Sequence, residues 1–281
     1  MTQPLHQSDR PIYGGSPLAL EPVTRVPISV VMPTLNEARD LQATLSDLQW
    51  ADEVIVVDGG STDNTVKHAR NSGAQVLVVS GQTIAAQRNA GIAAARNHWI
   101  LALDADERVT PELRASLAAL ASSGSSRYSA FRIRSRNWHL GRELQHGPWG
   151  RDWKVRVFSR ERRYDDRRVH EHIAGLDDVG TLDGTLLHHP YRDLTHQVLK
   201  VAKYAQWAAL DMRARGRRAG VTDLVFRPAW RFVRDYVVYS GWRDGPSGFV
   251  VASVSAFSVF LKYACLLTLP KTPPPAAPSA P

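Results

Sequence analysis

Two carboxylates, Asp104 and Asp106, flank Ala105 directly after the apolar run Trp99-Ile100-Leu101-Ala102-Leu103. Residues i and i+2 of an extended segment point to the same side, about 7 Å apart. Two acids so placed repel each other unless a cation lies between or beside them. With a hard divalent ion, Mg²⁺ or Mn²⁺, they become an oxygen clamp that can hold a diphosphate as well. Acidic pairs also end ordinary strands in solvated turns, so the surrounding elements decide the reading.

Those elements alternate. Residues 28–32 form an apolar run closed by Pro33, the pattern of a buried parallel strand. Thr34-Leu35-Asn36-Glu37 leads into residues 38–49, where Leu41, Leu45 and Leu48 keep helical spacing. A second run, residues 53–57, ends at Asp58-Gly59-Gly60-Ser61-Thr62-Asp63. Its glycines allow a tight turn, Ser61 or Asp63 can cap the next helix, and Gly73 suits that helix's stop. Residues 75–79 predict a third strand, 83–96 an Ala-rich helix and 99–103 a fourth strand. Thr110-Pro111-Glu112 opens a further helix as cap, first-turn proline and first-turn acid. This alternation predicts βαβ units and a mainly parallel sheet, with ligands beyond the carboxyl ends of its strands. Asn36, Asp58 and the Asp104/Asp106 pair all fall at such ends, so three polar clusters converge on one edge.

Four segments carry a resemblance. Pro33-Thr34-Leu35-Asn36-Glu37, Val57-Asp58-Gly59-Gly60-Ser61-Thr62-Asp63, Gln87-Arg88-Asn89-Ala90-Gly91 and Leu103-Asp104-Ala105-Asp106-Glu107 follow, in order, the pattern of family 2 glycosyltransferases. Further along, Val169-His170-Glu171, Leu187-His188-His189-Pro190-Tyr191, Asp244-Gly245-Pro246-Ser247-Gly248-Phe249 and Leu261-Lys262-Tyr263-Ala264 resemble the bacterial lipopolysaccharide inner-core β-glucosyltransferase branch. The resemblance implies an α/β GT-A fold, Rossmann-like, with a mainly parallel sheet flanked by helices. It also implies a nucleotide-sugar donor (UDP being the family's commonest choice), a divalent metal, Mg or Mn, and inversion at the anomeric carbon. By the same analogy Pro33, Thr34, Asn36 and Glu37 line the nucleotide pocket, and Asp58 meets the base or ribose. Arg88 faces the nucleotide or its diphosphate. Asp104 touches ribose or metal-bound water, and Asp106 is the direct metal ligand. Many relatives carry a second acid where this chain has Gly59.

Transfer to a hydroxyl also needs a base, while the metal and Arg88 neutralise the departing diphosphate. Glu171, flanked by His170 and His172, is the candidate base, with Asp165 and Asp166 as alternatives. A salt-bridged acid in an Arg-rich stretch is the competing reading of Glu171. His188 and His189 read more simply as ordinary core or surface histidines than as a further metal ligand.

At 281 residues and 43% hydrophobic, the chain can bury one α/β core with an appended helical region. Cys265 alone rules out an intrachain disulfide and suits a reducing compartment. Residues 1–13 contain no apolar core of a signal peptide, so the catalytic domain is expected in the cytoplasm. The expected organisation is a disordered arm (1–26), a nucleotide-sugar half (27–126), an acceptor and base part (127–192), a helical region (193–269) and a disordered Pro/Ala tail (270–281). No internal repeat is present, and nothing specifies an oligomeric state.

The net charge of +8 is unevenly placed: −4 over residues 1–126, +8 over 127–168, −4 over 169–189 and +8 over 190–281. Basic zones concentrate anionic partners. In the first, Phe131-Arg132-Ile133-Arg134 and Lys154-Val155-Arg156-Val157-Phe158 alternate like half-buried strands with basic outer faces. Trp138, Trp149 and Trp153 interleave with them, as suits a phosphorylated saccharide; ordinary packing is the competing reading. Nucleic acid is not expected as a partner, because the nucleotide-sugar constellation already accounts for the fold. In the second zone, residues 194–215 predict a long helix with Leu194, Val198, Val201, Ala205, Ala208 and Met212 near one face. Residues 228–239 mix Trp230, Phe232, Tyr236 and Tyr239 with Arg227, Arg231 and Arg234, the composition of an interfacial anchor. Residues 249–269 are apolar for 21 residues, long enough to cross a bilayer. Lys262, Ser253, Ser255 and Ser258 favour a packed or interfacial helix over a spanning one. These readings converge on an inverting hexosyltransferase acting on an anionic lipid-linked glycan at the inner face of the cytoplasmic membrane. A polyprenyl-phosphate sugar synthase and an inactive nucleotide-sugar-binding scaffold are the alternatives.

Overall fold

The computed structural model describes residues 25–124, 126–165, 172–176 and 178–269. The expected tail lies outside these residues, as do residues 1–24 of the expected arm, Asp166, His170 and Glu171.

The first half runs β1 (Val26–Thr34), α1 (Ala38–Ser46), β2 (Ala51–Asp58), α2 (Thr65–Asn71), β3 (Gln75–Val78), α3 (Ile84–Ala94), β4 (Trp99–Ala102), β5 (Glu107–Val109) and α4 (Pro111–Ser122). There follow β6 (Ala130–His139), β7 (Arg142–Glu143), β8 (Trp153–Ser159), β9 (Gly180–His188), α5 (Leu194–Ala214), α6 (Val221–Val233) and α7 (Gly245–Thr268). The strands form one sheet in the order β3-β2-β1-β4-β8-β6-β9-β5, with β7 on β6. From β3 to β4 it is parallel; β8 then joins β4 antiparallel, and β9 lies parallel to β6 and antiparallel to β5.

Alternation along β1 explains the two-sided core. Ile28, Val30 and Met32 pack with Leu41, Leu45, Leu113 and Leu117 on one face, and Val31 packs with Ile55, Ile92 and Phe158 on the other. Each such side chain contributes about 1.5–3 kcal/mol by leaving water. Caps set the helix starts. The Thr83 hydroxyl accepts from the Ala86 N–H (3.2 Å), and Thr110, followed by Pro111, accepts from the Leu113 N–H (3.4 Å). On α3, Gly91 faces the sheet, where a Cβ would lie 2.5 Å from Val31 Cγ1 and 2.9 Å from Val57 Cγ2. Only glycine lets the helix come that close, and this approach sets the depth of Arg88 one turn earlier.

Helices α5 and α7 pack through Ala209, Tyr263 and Leu266, with Leu224 of α6 against them. The expected face of α5 is buried at Ala205 and packs inward at Met212, but Gln197 and Ala209 are buried with it and Leu194 at the helix start is exposed. The buried Gln197 Oε1 meets His139 Nε2 at 2.9 Å, which fixes the helix rotation. Helix α6 begins earlier than the aromatic composition suggests. Its first turn is closed by Asp223, which accepts from the Gly220 N–H (3.0 Å), and it carries Pro228 inside. A single π-helical segment, Arg234–Val238, extends it.

Candidate active site

The carboxyl edge of the parallel half is built from two loops laced together. Pro33 and Thr34 end β1 opposite Val57 and Asp58 of β2. Asp58 is buried and accepts from the Gly60 N–H (2.9 Å), the Ser61 N–H (2.7 Å), the Ser61 hydroxyl (2.5 Å) and the Thr34 hydroxyl (3.3 Å). Asn36 adopts a left-handed backbone (φ 58°), which asparagine tolerates. Its N–H donates to the Ser61 hydroxyl (2.8 Å), and its Oδ1 accepts from the Thr62 N–H (2.9 Å). The Glu37 N–H donates to Thr65 Oγ1 (2.8 Å) and the Ala38 N–H to Asp63 (3.2 Å). Ser61 is therefore engaged in the lacing rather than in capping α2; Asp63 takes the Thr65 N–H (2.9 Å). At Gly59 a Cβ would lie 2.6 Å from Gln87 Nε2. Gln87 occupies the space that a second acid would need.

The Asp104-Ala105-Asp106 segment is the turn between β4 and β5, closed by the Glu107 N–H on the Asp104 carbonyl (3.0 Å). Its two acids have different surroundings. Asp104 receives Arg88 on one oxygen and Arg156 on the other, each at 2.6 Å. Arg156, 6% exposed, also reaches Glu107 at 2.8 Å, and Lys154 reaches the same carboxylate at 3.1 Å. Burial alone would raise both carboxyl pKa values. The adjacent cations overcome it, Arg156 and then Arg88 holding Asp104 well below the usual range, and Arg156 and Lys154 holding Glu107 at about 2. The expectation that Lys154 and Arg156 belong to a basic outer face is corrected: they turn inward, because buried Asp104 and Glu107 require counter-charge. Arg132 and Arg134 do face outward, and Arg132 lies over Trp153 at 5.1 Å.

Asp106 has no such clamp. Its Oδ1 is buried with no hydrogen-bond partner, 3.7 Å from His188 Nε2, and Lys200 Nζ stands 3.5 Å from Oδ2. His188 arrives by strand register, since β9 pairs with β5 so that His188 lies opposite Glu107. Its Nδ1 is 2.6 Å from Asn137 Oδ1, and the Asn137 amide nitrogen donates to the Trp149 carbonyl (2.7 Å). That orientation makes Nδ1 the donor and leaves a lone pair on Nε2 toward Asp106. Burial lowers the His188 pKa, which keeps the ring neutral. A partnerless carboxylate oxygen beside a neutral imidazole fits a divalent cation. Among the described residues no three His, Cys, Asp or Glu side chains gather into a metal-holding group. The remaining ligands would be oxygens from outside the protein, water among them, as a Mg²⁺-type ion prefers.

Glu37 borders the same space. Burial first, and the Asp106 charge second, push its pKa up to about 7. Arg192 approaches Glu37 at 4.0 Å and Asp40 at 3.4 Å.

Of the alternatives for the base, Asp165 is described and Asp166 is not; Glu171 also lies outside the described residues. The flanks of this stretch meet beside Arg88. The Asp165 N–H donates to the His172 carbonyl (2.9 Å), and Tyr164 bridges to Ile173. Asn89 clamps Tyr164 through both amide atoms (2.8 and 3.0 Å), which sets the tyrosine ring 5.0 Å from the Arg88 guanidinium. On the other side Trp138 stacks on His189 (centroids 5.6 Å apart), and Trp149 leans on Tyr191 (5.9 Å), whose ring lies 5.6 Å from Lys200 Nζ.

Residues 29–176 match the family described as glycosyl transferase family 2. The chain is 29% identical over 247 residues to the lipopolysaccharide core biosynthesis glycosyltransferase LpsC of Rhizobium meliloti (strain 1021), covering 85% of this chain and 91% of that protein. It is 28% identical over 254 residues to an uncharacterized glycosyltransferase of Rickettsia bellii (strain RML369-C), covering 86% of each. Among solved structures, glucosyl-3-phosphoglycerate synthase from Mycobacterium tuberculosis, in complex with Mn²⁺, UDP and glucosyl-3-phosphoglycerate, aligns at 21% identity with a TM-score of 0.43, over 66% of this chain and 78% of that one. The family match spans more than half of the chain and takes in both laced loops, Arg88, Asp104, Asp106 and Arg156. With that span and with this sheet, the chain belongs to glycosyl transferase family 2 and has the GT-A fold.

Proposed function

We propose that the protein is a metal-dependent inverting glycosyltransferase that moves a hexose from a nucleotide sugar, UDP-glucose or a close analogue, to a lipid-linked glycan such as the lipopolysaccharide inner core. The carrying observation is the partnerless Asp106 Oδ1 beside His188 Nε2, at the edge where both loops end. Similarity to LpsC over nearly its whole length supports the acceptor class, and that acceptor would be met at the inner face of the cytoplasmic membrane.

In this reading Thr34, Asn36 and Glu37 bind the nucleoside, and Asp58 keeps the loops in shape for it. Asp106 and His188 would hold the cation, with Asp104 close by on its two arginines. A bound Mg²⁺ or Mn²⁺ supplies neutralising charge to the leaving diphosphate. Arg88 and Arg156 keep a positive field at that position, fixed in place before reaction by Asp104, Glu107 and the Tyr164 ring. Glu171 takes the proton from the acceptor hydroxyl as it attacks the far face of the sugar.

The test is transfer from a panel of UDP-sugars to core oligosaccharides, with the anomeric configuration of the product read by NMR. Glu171→Gln is expected to lose transfer while still binding UDP. Full activity of that variant on a lipid phosphate would favour the polyprenyl-phosphate synthase instead. Folded protein that consumes no nucleotide sugar with lipid and acceptor present would leave the inactive scaffold standing.

A further inference from the structure

Helix α6 has no buried residue, although it packs against α7. Leu224 and Phe232 face inward: Leu224 joins Tyr263 and Leu266, and Phe232 stacks on Tyr236 (5.3 Å) and meets Phe249 edge-on (5.7 Å). At 100° per residue the outward half carries Phe226, Trp230 and Val233, Val225 lies at the border beside Phe232, and the π-helical segment adds Val237 and Val238. All six are exposed, Phe226 at 70% and Trp230 at 61%. In water a surface helix shows polar residues on this half; here Thr222 and Asp223 do so only in the first turn, and from Phe226 to Val233 the large side chains on it are apolar.

Charge surrounds this face. Asp223 pairs with Arg227 (2.5 Å), and Asp235 holds both Arg231 (2.5 Å) and Arg234 (2.9 Å), so the borders are zipped rather than repelling. Exposed Arg215, Arg217 and Arg218 precede the helix, and residues 190–281 carry +8. A second copy docked here about a two-fold axis would bring these basic borders against themselves. An anionic bilayer complements both the apolar strip and its cationic rim.

We infer that α6 and its π-helical extension lie in the plane of an anionic membrane surface, with Phe226 and Trp230 inserted, and that the chain attaches from one side without crossing. The inference rests on the proposed lipid-linked acceptor only for its purpose. Helix α7 is long and apolar enough to span, but its carboxyl end is tied to α5. Arg213 donates to the carbonyls of Leu266 (3.1 Å) and Leu269 (2.9 Å), and the Arg227 guanidinium lies 5.1 Å from the Tyr263 ring. Crossing would pull Arg213 and its neighbour Asp211 toward hydrocarbon, at high cost.

The docked face is also wired to the site. The Tyr239 carbonyl accepts from the Gly147 N–H (2.9 Å). Asp244 takes the Gln145 N–H (3.2 Å), the His146 N–H (2.9 Å) and the His146 ring (2.9 Å). A Cβ at Gly248 would sit 1.9 Å from the Gly241 carbonyl, which makes this junction compact. The loop so held carries Trp149, which leans on Tyr191 beside Lys200 and Asp106. The Asp244-Gly245-Pro246-Ser247-Gly248 motif thereby joins this helical region to the loop that carries Trp149.

The test is flotation of the full chain with phosphatidylcholine vesicles, with and without phosphatidylglycerol. Wild type is expected to float with the anionic vesicles and to be released by alkaline carbonate. Phe226→Ser/Trp230→Ser is expected to float at least about tenfold less, with unchanged thermal midpoint and donor turnover. Equal flotation of the double variant overturns the inference, as does wild type that resists carbonate, which would make α7 a spanning helix. Wild type that stays soluble also overturns it; if it is then a dimer that the double variant breaks, the face belongs to a second copy. Normal flotation without turnover of any nucleotide sugar supports this surface and counts against the proposed activity alone.

Discussion

The two loops that follow β1 and β2 and the turn that follows β4 lie on one sheet edge, yet they are held in opposite ways. In the first region the groups that lace the loops are answered by neighbours, as Asp58 is by Gly60, Ser61 and Thr34, and Asn36 by Ser61 and Thr62. In the second, charge is held by counter-charge, with Arg88, Arg156 and Lys154 around Asp104 and Glu107, and one oxygen of Asp106 has no partner. The first region is complete as folded. The second is complete around Asp104 and open at Asp106, so the two acids of one triplet differ in their surroundings, and under the proposed function they divide the work of structure and binding.

The contrast is broken most strongly at Arg156. Arg156→Met strips Asp104 and Glu107 of their shared cation, and removing one partner of a buried pair costs about 3–5 kcal/mol. Urea unfolding is expected to show that loss; a variant as stable as wild type would mean that Lys154 and Arg88 suffice. Gly91→Ala comes next. Its methyl would press on Val31 and Val57, at about 1–3 kcal/mol for overpacking, and would lift Arg88 from Asp104. Weaker donor binding together with the lower midpoint is the expected outcome. A fall in stability with donor binding intact would separate α3 packing from the site.

The smallest effect is at Glu37. Its pKa is raised from 4.5 to about 7, so its ionised form is disfavoured in the folded protein. The stability it contributes is present below pH 4.5 and is lost as pH rises through about 7. With a chelator present, Glu37→Gln should match wild type in acid and exceed it above pH 7. The side chain is 33% exposed, so solvent screening reduces the gain to about 1 kcal/mol, or about 2–4 °C in thermal midpoint. No pH dependence of the difference would mean that neither burial nor the Asp106 charge acts on the Glu37 carboxyl.

The same contrast separates what the sequence shows from what it hides. The parallel half is legible because its signals are local: apolar runs, leucines at helical spacing, the Thr110-Pro111 start and the glycine-bearing turn after Asp58. Asp104 and Asp106 are legible as a pair, but their inequality is not. It depends on His188, brought 82 positions along the chain to Asp106 by the pairing of three-residue β5 with β9, and on Lys200 from α5. A pair of histidines in isolation gives no hint of that register. Lys154 and Arg156 did carry a usable signal, since alternate residues of one strand share a face and two buried acids need cations. The burial of Gln197 on α5 was hidden as well, because it depends on a hydrogen bond to His139 of β6 that an apolar pattern does not show.

The most direct test of the division of labour compares wild type, Asp106→Asn and Asp104→Asn for Mn²⁺ binding by electron paramagnetic resonance and for UDP-sugar turnover, with thermal midpoints alongside. Asp106→Asn is expected to keep its midpoint and lose both Mn²⁺ binding and turnover, while Asp104→Asn loses stability because Arg88 and Arg156 lose the carboxylate they share. Retained Mn²⁺ binding and turnover in Asp106→Asn, or an equal loss of stability in both variants, would contradict the account.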